Sequence, residues 1–335
     1  MAQWMALALA AGLVAAAEGA GPRRPLPEGD SGIAAKHPGD KGIEKDPSAV
    51  FAELFELDSL DELKKRWDSV GSPEIMSFSP DVPPRSGGKR SLLMTHVGGK
   101  GEGANLYRRL LPGYHKLHVR FYVKFDADCG PIHHFFHVGG YNPPTRWAQG
   151  GAGVRPRGNE RFTTGVEPFG NSWRWDFYSY WMEMRGSPPR GQTWGNSFIQ
   201  DPAFKAERGK WTCAELMMKL NDVGDSNGEQ ALWIDGKLAG HLGKGFPKGK
   251  WTFDRFLKDQ GGQGIRWNDA KGDRESFQVA AGGEPFEGFR WRNAEELKIN
   301  FVWPLFYITK SPEGHVSKVW FDHIVVAKDY IGPIR

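Results

Sequence analysis

One stretch of the sequence, residues 173–185, alternates apolar and polar side chains with the two-residue period of a β-strand. Such an alternation requires a sheet with one buried and one accessible face, because successive side chains of a strand point to opposite sides. The side chains predicted to point inward are Trp173, Trp175, Phe177, Ser179 and Trp181, and those predicted to point outward are Arg174, Asp176, Tyr178 and Tyr180. The outward set combines phenols with charged groups and could stack on a sugar and form hydrogen bonds with it.

The rest of the sequence repeats this pattern at short intervals. The chain has 44 glycines and 14 tryptophans in 335 residues, which favours short strands joined by turns. Strands are predicted at residues 91–96, 118–125, 132–138, 173–184, 211–221, 230–234, 297–303 and 319–327. We therefore expect an all-β fold, a two-sheet antiparallel jelly roll of the concanavalin type, with one outer face available as a groove.

The N-terminal part of the sequence departs from this pattern. Residues 1–17 end in Ala15-Ala16-Ala17 after an apolar run, which is typical of a signal peptide and predicts a secreted or periplasmic protein. Residues 18–47 are rich in Gly, Pro, Lys and Asp and are predicted to be a flexible leader. A single domain is predicted for residues 48–335, opening with two short capped helices at residues 49–57 and 59–67.

Turns and long segments give further expectations. Asp235 and Gly236 predict a hairpin turn. Residues 139–170 and 246–286 show little periodicity and are predicted to be loops at the rim of the groove.

Charge and cysteine content narrow the choice of partners. The formal net charge of +4 is small for this length, so nucleic acid is not expected, whereas a local basic groove could bind an acidic polymer. No run after the signal peptide approaches the about 20 apolar residues of a membrane span, so we expect no membrane contact. We also expect the protein to be a monomer. Cys129 and Cys213 could form a disulfide or remain buried thiols.

Several segments resemble the concanavalin-like jelly rolls of polysaccharide lyases, in particular the fourteenth polysaccharide lyase family, whose members cleave alginate or glucuronan. The similar segments are residues 209–211, 215–224, 227–228, 232–236 and 319–326, together with the Tyr-x-Tyr pair of residues 178–180. The resemblance covers residues 92–331. It implies an enzyme that cleaves an acidic, uronate-containing polysaccharide by β-elimination.

Two family elements differ in this sequence. The family has a lysine ahead of a Gly-Gly turn, and His133 and His134 lie nearest that place, ahead of Gly139-Gly140. The family has a Ser-x-Arg element on the next strand, where this sequence has Thr163 and Gly165.

β-Elimination from a uronate needs a neutralised carboxylate, a base near the C5 proton and an acid at the leaving oxygen. Tyr178 or Tyr180 is predicted as acid and base, and the alternative is an aromatic platform without proton transfer. His133 is predicted to face the groove if Ile132 and Phe136 mark the core face. The predicted catalytic residues are Tyr178, Tyr180, His133, His134 and Lys219, and the predicted substrate-binding residues are Arg174, Asn221, His137, Arg120, Asp176 and Glu215.

The same residues also bear on cofactors and on other functions. A metal site is not expected, because residues four apart on a strand, such as His133 and His137, lie about 13 Å apart; calcium held by loop oxygens stays open. A glycoside hydrolase would need two carboxylates about 5 Å apart, for which Asp176 and Glu215 are the candidates. A non-catalytic carbohydrate-binding protein could use the same aromatic row.

Overall fold

A computed structural model describes residues 25–186, 192–199, 201–252, 254–258, 263–268, 273–279 and 284–335. Within these residues there are nineteen β-strands and one short α-helix, α1 (Leu60–Arg66). The strands are β1 (Ala49–Glu53), β2 (Ser69–Gly71), β3 (Met76–Ser79), β4 (Ser91–Val97), β5 (Gly103–Tyr114), β6 (Lys116–Phe125), β7 (His134–Tyr141), β8 (Arg161–Phe169), β9 (Arg174–Tyr180), β10 (Trp211–Lys219), β11 (Glu229–Ile234), β12 (Lys237–Leu242), β13 (Lys248–Thr252), β14 (Arg255–Lys258), β15 (Gln263–Asn268), β16 (Asp273–Val279), β17 (Glu284–Pro285), β18 (Ile299–Tyr307) and β19 (Val316–Ala327). Five 3-10 helices span Ile33–Lys36, Pro38–Asp40, Ile43–Lys45, Pro73–Ile75 and Gly170–Ser172.

Two large antiparallel sheets pack face to face. The eight-stranded sheet has the order β12-β11-β10-β6-β19-β4-β3, with β1 paired to β19, and the six-stranded sheet has the order β2-β5-β18-β7-β8-β9. Aromatic side chains join them: Phe121 of β6 stacks on Phe136 of β7 with ring centroids 4.0 Å apart. Burying such rings between the sheets supplies the main stabilisation of a sandwich. The predicted two-sheet jelly roll is confirmed.

Local signals account for several connections. Asp235 and Gly236 join β11 to β12 with φ angles of 50° and 76°, as a two-residue hairpin turn with left-handed residues requires. Helix α1 begins after Ser59, whose side chain accepts a hydrogen bond from the backbone N–H of Glu62, so this predicted helix is confirmed.

The other predicted N-terminal helix is wrong. Residues 49–53 of the predicted helix 49–57 form β1, which pairs antiparallel with β19. Val50 and Phe51 suit a strand, and residues 324–327 of β19, which lie beyond its pairing with β4, offer β1 a partner. A capping signal is local, whereas this pairing joins segments far apart in the sequence.

The predicted flexible leader is packed where the structure describes it. Residues 25–47 contain three of the 3-10 helices, and Ile33, Ala34 and Ile43 are buried against Val325, Ala327 and Ile331. Few apolar residues are enough to order this segment, because they pack against a sheet face that the rest of the domain provides. The predicted signal peptide lies within residues 1–24, outside the described residues, and stays a prediction.

An ion pair fastens this N-terminal segment to the eight-stranded sheet. Arg120 of β6 and Asp40 are both fully buried and form a salt bridge, and His323 Nδ1 donates to Asp40 Oδ2 at 2.8 Å. Arg120 therefore holds the protein's own carboxylate, which corrects its predicted role in substrate binding. Breaking such a pair would leave an uncompensated charge in the interior.

The same network extends to Ser86, whose Oγ lies 2.7 Å from His323 Nε2. The order Ser86, His323, Asp40 matches that of a hydrolytic triad. The backbone N–H groups that follow Ser86 are already engaged, however, because Gly87 donates to Gly39 O and Gly88 donates to Ser86 Oγ. Neither is available to stabilise an oxyanion, and Asp40 is shared with Arg120, so we assign the network a structural role.

Cys129 and Cys213 are free, buried thiols, which selects between the two alternatives left open by the sequence.

Among the described residues, no helix combines the length and apolar character needed to cross a bilayer.

Candidate active site

A row of four residues crosses the outer face of the six-stranded sheet. Trp303 of β18 lies opposite His137 of β7, His137 lies opposite Gly165 of β8, and Gly165 lies opposite Tyr178 of β9. Directly paired residues of neighbouring strands project to the same side of a sheet. On β9 the alternate residues Trp175 and Phe177 are buried in the core, as the sequence pattern predicts.

Two adjoining cavities lie along this face, with volumes of about 610 Å³ and 530 Å³. His133, His134 and Tyr178 line both cavities and so mark their junction. The first cavity is also lined by Asn105, Ala152, Trp194, Trp303 and Tyr307, among others, and the second by Glu167, Phe169, Thr309 and Lys310, among others. We call the two cavities together the groove.

The two tyrosines of β9 differ in access. Tyr178 is half-buried and lines the groove, whereas Tyr180 is 6% exposed and lines neither cavity. Their phenol oxygens lie 3.4 Å apart, and Tyr180 Oη also accepts from the backbone N–H of Gly153 at 3.4 Å. Burial, followed by the neighbouring Tyr180, raises the pKa of Tyr178. Tyr178 therefore stays protonated at neutral pH and can donate a proton.

Gly153 belongs to residues 142–160, the part of the predicted long segment 139–170 that connects β7 to β8. Its neighbour Ala152 lines the first cavity, so this connection lies beside the groove. The second predicted loop, 246–286, contains β13–β17, and part of it lies outside the described residues.

His134 and His137 both turn toward the groove face. The pairing of β7 with β18 is irregular between Pro304 and Tyr307, and Phe135 and Phe136 are both buried in the core. This irregularity breaks the two-residue alternation. It corrects the prediction that His134 shares the core face of Phe136.

Both histidines contact one carboxylate. His134 Nδ1 donates to Glu167 Oε1 at 2.9 Å, and His137 Nε2 donates to the same oxygen at 3.2 Å. Burial opposes ionisation of Glu167, but the two imidazoles outweigh it and lower the pKa of this carboxyl to about 2. Glu167 is thus a buried anion at neutral pH, and it was absent from the predicted site.

His133 lies at the edge of the groove and is exposed. Its Nδ1 lies 2.7 Å from Thr309 Oγ1, and its ring centroid lies 4.3 Å from that of His134. Partial burial of the ring, followed by the neighbouring His134, lowers the pKa of His133 below its ordinary 6.5. A neutral imidazole therefore faces the groove at pH 7 and can accept a proton.

Gly165 provides the space in which His137 and Glu167 meet. A Cβ atom at this position would lie 2.7 Å from His137 Nε2 and 3.1 Å from Glu167 Oε1. Because His137 is buried and packs edge-on against Trp303 at 5.3 Å, its ring has little room to move. Gly165→Ala is expected to lower the free energy of unfolding by about 1–3 kcal/mol through overpacking, measured by urea denaturation.

Gly150→Ala is the matched control for that change. A Cβ atom at Gly150 would have no neighbour within 4 Å, so its effect should stay within about 0.5 kcal/mol. Equal stability of the Gly165→Ala variant and the wild type would contradict the tight packing described above.

Four of the predicted site residues lie away from the groove, on or beside the eight-stranded sheet. Arg120 pairs with Asp40, as described above. Glu215 accepts from the backbone N–H groups of Ile331 and Gly332. Asn221 accepts from the N–H of Arg292 at 3.0 Å, and Lys219 donates to Glu229 at 3.0 Å. The predicted roles of these four residues at the site are therefore wrong, because polar faces of different sheets do not converge on one groove.

Two predicted residues of β9 also take other positions. Asp176 is buried and accepts from the backbone N–H groups of Phe198 and Ile199, so it holds the segment that covers the edge of β9. Arg174 Nε donates to Ser172 Oγ at 3.3 Å, and Arg174 lines neither cavity. Asp176 and Glu215, the candidate hydrolase pair, belong to different sheets.

The pairing of Lys219 predicts a pH-dependent contribution to stability. His241 Nε2 and Lys219 Nζ both donate to Glu229. Burial opposes ionisation of Glu229, but these partners outweigh it and lower the pKa of Glu229 from 4.5 to about 2. Because the unfolded chain binds the proton more tightly, this contribution is complete above pH 4.5 and is lost as the pH falls toward 2.

Glu229→Gln should therefore cost about 1 kcal/mol at pH 7, a modest value because Lys219 is partly exposed. The difference from wild type should shrink as the pH falls below 4.5, as measured by urea denaturation at pH 7 and pH 3. A difference that is the same at both pH values would show that the ionised pair does not contribute.

Comparison with known proteins identifies solved structures with a similar fold. No protein-family model and no curated protein matches the sequence. Among solved structures, the marine PL-14 alginate lyase from Aplysia kurodai matches with a TM-score of 0.52 and 13% identity, over 84% of this chain and 99% of that one. Alginate lyase vAL-1 from Chlorella virus matches at 0.47 and 13% over 82% and 100%, and endo-beta-1,4-glucuronan lyase from the fungus Trichoderma reesei at 0.44 and 14% over 84% and 96%.

The chain is thus a β-jelly roll, and its fold is that of the Aplysia alginate lyase. The resemblance to jelly-roll polysaccharide lyases is confirmed at the level of the fold.

Proposed function

We propose that this protein is a polysaccharide lyase that cleaves a uronate-containing polysaccharide by β-elimination. The observation that carries the proposal is the meeting of Tyr178 and His133 at the junction of the two cavities. One is a protonated phenol and the other a neutral imidazole, which are the acid and the base that elimination requires. The Aplysia enzyme with the same fold is an alginate lyase, in keeping with an acidic polymer as substrate.

The proton transfers follow from these two groups. His133 accepts the proton from C5 of the uronate, and the electron pair of that bond forms the C4–C5 double bond. The C4–O glycosidic bond breaks, and Tyr178 donates its proton to the leaving oxygen. The expected products are a chain with an unsaturated uronate at its new non-reducing end and a chain with a new reducing end.

The walls of the groove supply binding groups on both sides of this junction. Trp194 is 42% exposed and lines the first cavity, where its indole can stack on a sugar ring. Asn105 in the first cavity and Lys310 in the second can donate hydrogen bonds to carboxylates of the polymer. The groove therefore suits an anionic sugar chain that crosses the His133–Tyr178 junction.

The test is a substrate screen with the full chain. Alginate, glucuronan, pectate and glycosaminoglycans are incubated separately, and both ultraviolet absorbance from unsaturated uronate and new reducing ends are followed. We expect both signals to rise together on at least one polymer. Reducing ends without absorbance would indicate a glycoside hydrolase, and binding without either signal would indicate a carbohydrate-binding protein; each result would overturn the proposal.

A further inference from the structure

His134, His137 and Glu167 form a compact set of potential metal ligands at the base of the groove. One ligand atom from each residue lies within 4.8 Å of the other two. The two contacts to Glu167 Oε1 measure 2.9 Å and 3.2 Å. In a tetrahedral zinc site with bonds of about 2.0–2.1 Å, ligand atoms lie about 3.3 Å apart. Small side-chain adjustments would therefore place all three around one ion.

The fold builds this set from three features that are unrelated in sequence. The irregular pairing of β7 with β18 turns His134 and His137 to the same side. Glu167 stands on β8, two residues beyond Gly165, which lies opposite His137. Gly165 has no side chain to separate them. The distance argument that disfavours a metal on His133 and His137 does not apply to His134 and His137.

The burial of the cluster also favours a bound ligand. Glu167 is 6% exposed, and its two close partners are imidazoles. His137 Nδ1 is buried with no hydrogen-bond partner among the described residues. The protein's own hydrogen bonds thus leave this ring nitrogen of His137 unsatisfied, and a buried polar atom of this kind is usually satisfied by an ion or a water molecule.

We propose that His134, His137 and Glu167 bind one divalent transition-metal ion, zinc in particular, with an open coordination position that faces the groove. Each imidazole would bind the ion through a ring nitrogen that carries no proton. Two nitrogen donors and one carboxylate suit zinc and its first-row neighbours, whereas calcium prefers six to eight oxygens. His134 and Glu167 line the second cavity, so an oxygen ligand can reach the ion from the groove.

This site suggests how the substrate carboxylate is held, a step that rests on the proposed function. Gly165 stands where the resembling family has an arginine, so that cation is missing from this chain. An ion at the cluster would lie beside Tyr178, whose ring centroid is 4.8 Å from that of His134. It could take a uronate carboxylate in its open position and stabilise the charge that develops at C5.

Metal binding is tested without any substrate. The full chain, with any affinity tag removed, is stripped with a chelator and titrated with ZnCl₂ by calorimetry and with CoCl₂ by visible absorbance. We expect one ion per chain and the absorption bands of protein-bound cobalt. His137→Gln and Glu167→Gln should each weaken binding by about 100-fold or more, since losing even an indirect partner of a metal ligand costs about 10–100-fold.

His241→Gln is the matched control, because His241 also contacts a glutamate, Glu229, at 2.8 Å, but lies outside the cluster. It should bind zinc as the wild type does, and circular dichroism checks that every variant is folded. No stoichiometric zinc binding by the wild type, or equal binding by Glu167→Gln and His241→Gln, would overturn the proposal.

The metal proposal and the lyase proposal can fail separately. Zinc binding at the cluster with no elimination on any uronate polymer would sustain the metal site and reject the lyase. Elimination by a chain that binds no zinc would sustain the lyase and reject the metal site.

Discussion

Tyr178→Phe is expected to lower kcat on the best uronate polymer by about 10²–10⁴-fold, the range that general acid–base catalysis contributes. The substitution removes one hydroxyl group and keeps the ring, so polymer binding should persist and KM should change much less than kcat. The reason is the position of the phenol: it lines both cavities at their junction, and its raised pKa keeps the proton in place until the leaving oxygen takes it. Initial rates of ultraviolet absorbance, with polymer affinity measured separately, provide the test.

Tyr141→Phe is the control for that experiment. Tyr141 projects from the same sheet, but its hydroxyl donates to Gln149 O at 3.2 Å and it lines neither cavity. Its loss should leave kcat close to that of the wild type. If Tyr178→Phe kept the wild-type kcat, the acid would have to be another group, and the assignment of Tyr178 would be wrong.

Asp40→Asn is expected to reduce the free energy of unfolding by about 3–5 kcal/mol, the cost of leaving one member of a buried pair without its partner. Asp40 and Arg120 are both fully buried. Burial opposes ionisation of Asp40, but Arg120 and His323 outweigh it and keep the pKa of Asp40 below its ordinary 3.8. The amide of asparagine cannot neutralise the guanidinium. Urea denaturation at pH 7 measures the loss.

Glu207→Gln is the control for the ion pair. Glu207 pairs with Lys210 at a site where both side chains are largely exposed, so Glu207→Gln should change the free energy of unfolding far less than Asp40→Asn does. A similar small loss for Asp40→Asn would mean that water reaches Arg120 and that the network does not anchor the N-terminal segment.

The fold could be predicted where a strand has one buried face. The alternation of Trp175, Phe177 and Tyr178 predicts both the strand and its orientation, because Trp175 and Phe177 pack in the core and Tyr178 lines the groove. Strand β8 was not predicted, because Gly165 and Pro168 interrupt its alternation of apolar and polar residues. Glu167 was missed for the same reason, although it becomes a central anion of the candidate site.

The polar faces show why the rest of the site could not be predicted. Lys219 and Glu215 alternate with apolar residues as regularly as Tyr178 does, but they belong to the other sheet. Alternation gives the two faces of one strand and contains no information on which strands become neighbours. The orientation of His134 likewise depends on an irregularity shared with β18, which is set by pairing between distant segments.

The packing of residues 25–47 has a practical consequence for protein engineering. The composition of residues 18–47 alone suggests that an expressed chain could start at residue 48. A chain shortened in this way would lose Asp40 from Arg120 and would uncover Val325 and Ile331, which pack against Ile33 and Ile43. Such a truncation should aggregate or unfold at lower temperature, whereas a chain that starts near residue 25 keeps this side of the sandwich closed.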